Sequence, residues 1–244
     1  MNGPIDVPSP EDPAAALAAV VALRRLAERL ERAAVERAIE QRWTWAQVAE
    51  ALGVSRQAAH KRHAPQPRRD EATEGGPVKL GNPVREIRTI KRLLTGAEAE
   101  AQRMGEILPG AEHLLLSALA LPDGSARRAF GRLGADPDRL REAIGAQHSQ
   151  ALRGIGIEPV EALEAMPAPD PTGPMRSQAS LQGTFQAAVA LAKATRPSRL
   201  VGAHVVVAVA EMEHGTAARS LSGMGIDCGA LAAAARDELG TEDG

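Results

Sequence analysis

The chain has 244 residues, 44% of them apolar and 25% charged, with a formal net charge of −2; that is enough apolar material for one large domain or two to three small ones, and it excludes a disordered tail. Trp43, Trp45, Phe130 and Phe185 are the only aromatics, while alanine dominates the apolar set, so helix propensity is high and an all-β fold is excluded. One cysteine, Cys228, allows no internal disulfide and no thiolate zinc cage, the apolar runs Ala14–Leu23 and Val205–Ala210 are too short for a membrane span, and no signal peptide opens the sequence, so a cytoplasmic protein is expected.

In chain order, residues 1–12 are rich in Pro and Asp and read as a flexible tail. From Ala14 to Arg42 the pattern is helical, with Leu17, Val20, Val21, Leu23, Leu26, Leu30, Ala34, Val35 and Ile39 recurring at threes and fours. That stripe serves either packing within its own domain or a homodimer contact. Residues 13–64 form the first expected domain, and residues 65–83, dense in Pro, Gly and charge, form a linker.

Within the first domain, Thr44–His63 carries a helix-turn-helix pattern. Small Ala49 sits where two helices approach, Gly53 permits a left-handed turn, and Val48, Leu52, Val54 and Ala59 fill the shared core. Ser55 is placed to cap a second helix bearing Arg56, Gln57, His60, Lys61 and Arg62, with no acidic residue between Ser55 and Arg69. Gln pairs bidentately with adenine and Arg with guanine, while Lys and Arg hold phosphates, so these six residues are the expected DNA contacts. Charge agrees: residues 1–92 carry 16 Lys and Arg against 12 Asp and Glu, whereas residues 93–244 carry 13 against 19. The alternative is a packing or protein-contact module with an ordinary solvated basic face. Trp43 and Trp45 read as structural, and one motif covers only a half-site, so promoter binding calls for a homodimer.

The second half contains an internal repeat. Gly110–Ile144 matches Val201–Ala235 at a constant offset of 91 without a gap, pairing His113 with His204, Gly134 with Gly225 and Asp136 with Asp227. Each copy reads as four helices, with repeat one over residues 84–153, a Pro-rich linker over 154–174 and repeat two over 175–240. Ser125 and Thr216 are expected to cap the third helices, Gly134 and Gly225 to end them, and Asp136-Pro137 to start the fourth. The fold class expected is all-α: an N-terminal helix-turn-helix domain plus an eight-helix bundle of two pseudo-repeats.

The Glu112-His113-Leu114-Leu115-Leu116 run, the Gly-Ser/Thr-Ala start of each third helix and the Leu-Gly-Ala-Asp turn of repeat one, which repeat two carries as Met-Gly-Ile-Asp, resemble the Clp amino-terminal repeat domain of ClpC- and ClpA-type unfoldases. The combination with a helix-turn-helix is similar to small ClpC-like proteins of actinobacteria. The resemblance implies a docking platform for substrates and adaptors of Clp proteolysis, able in some members to take phosphorylated arginine or cyclic peptide antibiotics. In the family a Glu before each repeat's His and a Thr near the repeat's start hold phosphoarginine. Repeat one keeps Glu112 and repeat two has Ala203; the Thr positions fall on Ile87 and Gln178, with Thr89, Ser177 and Ser180 close by. Glu112 and Thr89, with Met175 as a soft apolar contact, are therefore the expected peptide or phosphoarginine residues.

No GxxxxGK[ST] phosphate loop occurs in the sequence, and no nucleophile motif supports Ser-His-Asp catalysis. An enzyme, a cofactor and a metal are not expected; His113 and His204 read as buried hydrogen-bonded histidines and Cys228 as a small apolar residue. The leading expectation is a DNA-binding transcriptional regulator of its own operon that senses a peptide, degron or cyclic peptide antibiotic. The alternative is a Clp proteolysis accessory, a decoy or adaptor that meets Clp protease components or substrates with little DNA binding.

Overall fold

The computed structural model describes residues 12–63, 83–158 and 177–240, and every regular element among them is helical. The expected tail, most of both linkers and Met175 lie outside the described residues. Helix α1 spans Pro13–Glu40, and its start has a local cause: the Asp12 carboxylate accepts from the N–H groups of Ala14 and Ala15 at 3.2 and 3.1 Å, with Pro13 at the first helical position. Helices α2 (Trp45–Leu52) and α3 (Arg56–His63) follow.

The bundle contains α4 (Pro83–Arg103), α5 (Ala111–Leu119), α6 (Ser125–Arg132), a 3-10 turn (Pro137–Arg139) and α7 (Leu140–Arg153) from repeat one, then α8 (Ala179–Ala194), α9 (Gly202–Ala210), α10 (Thr216–Gly223) and α11 (Cys228–Gly240) from repeat two. Bounds of α5 and α9, and of α6 and α10, differ by the same 91 residues as the sequences. Helices α5 and α9, with the predominantly apolar sequences AEHLLLSAL and GAHVVVAVA, are buried on every face and pack on each other at the centre. The outer helices cross between repeats: α6 lies on α11 and α10 on α7, an exchange that the pseudo-twofold relates. One continuous core, including Leu93, Leu114, Phe130, Ile144, Leu200, Val205 and Leu231, results. Neither repeat closes its core alone.

Two local expectations change. Ser125 and Thr216 are first helical residues, not caps, and neither side chain caps its helix. The capping function at α6 passes to Asp123, which accepts the Ser125 N–H at 3.0 Å and the Ser125 hydroxyl, freeing the Ser125 oxygen to accept the Ala203 N–H at 2.9 Å. Gly134 and Gly225 do adopt left-handed φ of 63° and 74°, which a side chain would disfavour.

Helix α1 also turns differently from its apolar stripe. Leu17, Val20, Leu30 and Ile39 are exposed, Leu17 by 66%, whereas Ala18, Ala19, Ala22, Arg25, Arg32 and Val35 are buried. Alanine lets α1 approach α7 closely, and buried Arg25 finds acidic partners on the bundle. Val35 belongs instead to a small separate core with Val48, Ala49 and Ala59 of the helix-turn-helix. No described helix is long and apolar enough to cross a membrane.

Candidate functional site

The helix-turn-helix is built by local chemistry. Thr44 and Gln47 cap α2 reciprocally, with Thr44 N–H donating to Gln47 Oε1 at 2.9 Å and Gln47 N–H to Thr44 Oγ1 at 3.4 Å. Gly53 ends α2 at φ 66°, ψ 29°, a left-handed conformation, and Ser55 Oγ accepts the Ala58 N–H at 3.1 Å to start α3. Val48, Ala49 and Ala59 are buried as expected, but Val54 is exposed.

The six expected DNA-contact residues then separate by role. Ser55 is a cap; Arg56 and Gln57 are exposed. His60 lies edge-on to Trp45 with ring centroids 5.2 Å apart, and Lys61 falls on the same helix. Arg62 donates to Glu31 Oε1 of α1 at 2.9 Å, and His63 Nε2 meets the same oxygen at 2.9 Å. Burial would raise the Glu31 pKa, but the Arg62 and His63 contacts outweigh it and lower it, so a carboxylate ties the end of α3 to α1.

A second constellation forms where α1 meets the bundle. Arg25 is 8% exposed, and its guanidinium reaches Glu106 Oε1 at 2.6 Å and Glu112 Oε1 at 2.7 Å; Glu106 and Glu112 are 4% and 3% exposed. Arg29, one turn on, donates to the Met104 carbonyl at 2.5 Å. The position of Glu112 depends on Gly110, because a Cβ there would lie 2.7 and 2.8 Å from the carboxylate oxygens. His113 Nδ1 accepts the Gly110 N–H at 3.0 Å, which leaves the ring proton on Nε2, 3.5 Å from Glu106 Oε1.

Burial pushes the Glu106 carboxyl up, yet contact with the His113 ring and the charges of Arg25 and His148 prevail and hold it down at about 2. His148 of α7 is buried in the same cluster; desolvation, reinforced by Arg25, lowers its pKa to about 3. Glu106, Glu112 and His113 offer ligand atoms all within 4.8 Å of one another, the group among the described residues with metal-ligand spacing. The guanidinium of Arg25 already neutralises both carboxylates. Glu106 escaped the sequence reading because no motif marks it; only the fold brings it beside Glu112.

His204 repeats the His113 arrangement: Nδ1 accepts the Val201 N–H at 3.2 Å and Nε2 meets Thr195 Oγ1 at 3.0 Å, while burial lowers its pKa to about 4. Both histidines thus close the N-terminus of a central helix. Cys228 starts α11, half-buried, its thiol pKa raised first by desolvation and then by Asp227.

Glu112 and Thr89 are not brought together as expected. Thr89 donates to the Arg85 carbonyl at 3.2 Å and lines a cavity whose wall does not include Glu112. The hydroxyl beside the start of α5 comes from the other repeat: Ser180 Oγ accepts the Ala111 N–H at 3.4 Å, and Gln178 donates its N–H to the Pro109 carbonyl at 3.0 Å. Helix α8 packs on α9 of its own repeat and also reaches α5 of the other, so pairing residues within one repeat misplaces the hydroxyl at the start of α5.

The model of the Clp repeat (R) N-terminal domain family matches residues 88–224. Among solved structures, the chain is similar to one from a study of a malarial protein secretion system, at 15% identity and a TM-score of 0.43, covering 68% of this chain and 97% of that one. It is also similar to the N-terminal domain of the caseinolytic protease associated chaperone ClpD from Arabidopsis thaliana, at 23% identity and a TM-score of 0.42, covering 62% and 94%. No curated protein matches. With more than half of its residues under that family model, and most of α4 together with α5 to α10 in the matched span, the chain belongs to the Clp repeat (R) N-terminal domain family.

Proposed function

We propose that this protein is a non-enzymatic docking accessory of Clp proteolysis, which captures an arginine-bearing peptide or degron at the Glu106–Glu112 slot and holds that slot closed with its own Arg25. One observation carries the reading: a buried, carboxylate-walled slot on a Clp repeat bundle is filled by an arginine from a helix outside the matched family segment. A slot that takes Arg25 has the charge and acceptor geometry for an arginine side chain from a partner. Docked peptide and docked α1 exclude each other, so capture releases α1 from α7. The test is fluorescence anisotropy with a labelled peptide carrying one arginine and its citrulline counterpart. Arg25→Ala should bind the arginine peptide more tightly than the wild type, and Glu112→Gln should lose it. Equal affinity for the citrulline peptide sinks the reading.

A second reading, DNA binding and control of its own promoter, is favoured by the formed α2–Gly53–α3 turn and by exposed Arg56 and Gln57. Since α1 carries both Arg25 and Glu31, release of α1 by peptide would move the element that braces α3. Titration of the chain against its own upstream DNA, with an Arg56→Ala, Gln57→Ala variant, tests it. Binding that ignores sequence and vanishes with salt is phosphate attraction alone and removes this reading.

A further inference from the structure

A cavity of about 400 Å³ opens between α4 and the strand-like approach to α9, lined by Arg85, Arg88, Thr89, Arg92, Asp123 and Arg199 together with segments 121–122 and 200–201. Four arginines and one aspartate line it. Asp123 is committed to the wall, accepting the Gly202 N–H at 3.2 Å and the Ser125 N–H at 3.0 Å. Glu86, the nearest acid on α4, is buried and accepts the Leu200 N–H at 3.3 Å.

Arg85, Arg88 and Arg92, at spacings of three and four, share one face of α4, and none has an ion-pair partner among the described residues. Neighbouring helices behave otherwise: Arg127, Arg128, Arg132 and Arg141 each reach a carboxylate at 2.5 to 2.8 Å. Nor does the repeat fold require the charge. Ninety-one residues on, Arg85 is kept as Arg176, whereas Arg88 and Arg92 become Ala179 and Gly183.

We propose that this cavity binds a small phosphate-bearing anion. Unpaired like charges along one helix face repel, and an anion relieves them; arginine forks match phosphate oxygens bidentately. The volume lies in the range of small-ligand sites, too confined for a duplex. The two sites then differ in charge: the slot at Glu112 takes a cation, whereas the cavity along α4 takes an anion.

Calorimetric titration of the full chain with inorganic pyrophosphate tests this independently of peptide capture. The wild type should bind saturably at one site, and Arg88→Gln, Arg92→Gln should weaken binding roughly tenfold or more with unchanged helical circular dichroism. Arg88→Lys, Arg92→Lys keeps the charge without the fork and should fall between them. Arg56→Ala, Gln57→Ala should bind like the wild type. Absence of saturable binding, equal binding by the Gln variant, or loss in the α3 variant instead overturns the proposal. Citrate binding as tightly as pyrophosphate overturns the phosphate assignment, and displacement by duplex DNA that needs Arg88 and Arg92 overturns the small-ligand assignment.

Discussion

Arg25 and Glu112 lie 87 residues apart in sequence and 2.7 Å apart in space, and with Glu106 they form a buried ion triad that fastens α1 to the bundle. Removing the guanidinium leaves two carboxylates stranded away from water, the costly way to break a buried pair. Arg25→Ala should therefore destabilise the docked form by about 3–5 kcal/mol. Hydrogen exchange is the direct readout: α1 amides around Ala18–Ala22 should lose protection while α5 and α9 keep theirs. Undiminished protection of α1 would show that the alanine contacts with α7 hold it without the triad.

The cluster also sets a pH dependence. His148 has no hydrogen-bond partner among the described residues on either ring nitrogen, and burial lowers its pKa to about 3, below the ordinary 6.5. The unfolded chain protonates first, so stability falls as pH drops from about 6.5 toward 3, with His204 adding to the loss down to about 4. Glu106 contributes stability present above about 4.5 and lost as pH falls toward about 2. Each group changes the slope by up to about 1.4 kcal/mol per pH unit while it titrates. Urea melts at pH 7.5, 5.5 and 4.5 should show falling midpoints, and His148→Leu should flatten the decline. A midpoint constant across that range contradicts the assignment.

Gly110→Ala should act through Glu112. The added Cβ meets the carboxylate at 2.7 Å and pushes it off Arg25, at a cost of about 1–3 kcal/mol. Gly145→Ala, inside α7 where a Cβ meets nothing within 4 Å, should be neutral or stabilise by about 0.5–1 kcal/mol. Thermal melts of the two variants separate crowding at the slot from a general effect of losing glycine.

Glu31→Gln should release Arg62 and His63 from α1. If α3 lies against phosphates, the freed charge steepens the salt dependence of duplex binding by roughly one counterion. Anisotropy at several salt concentrations measures the slope, and a slope identical to that of the wild type would show that Arg62 does not face the duplex.

The glycine turns, Gly53 and the Ser55 cap were legible in the sequence because each is a local rule: a side chain or a φ angle acting within four residues; the offset of 91 was legible as a repeat of such rules. The all-α class was legible for the same reason, since propensity and periodicity act along one segment. The outward stripe of α1, the pairing of Ser180 rather than Thr89 with the start of α5, and the entry of Arg25 between Glu106 and Glu112 were not. Periodicity says that a helix has an apolar face but not which face its neighbour prefers, and three buried alanines with one arginine outcompeted four exposed apolar side chains because the bundle offered close approach and two carboxylates. What the sequence determined alone was the set of helices and their ends; the tertiary structure decided which charges meet, because ion pairing at a site depends on the interlocking of two repeats and a third segment that no local rule relates.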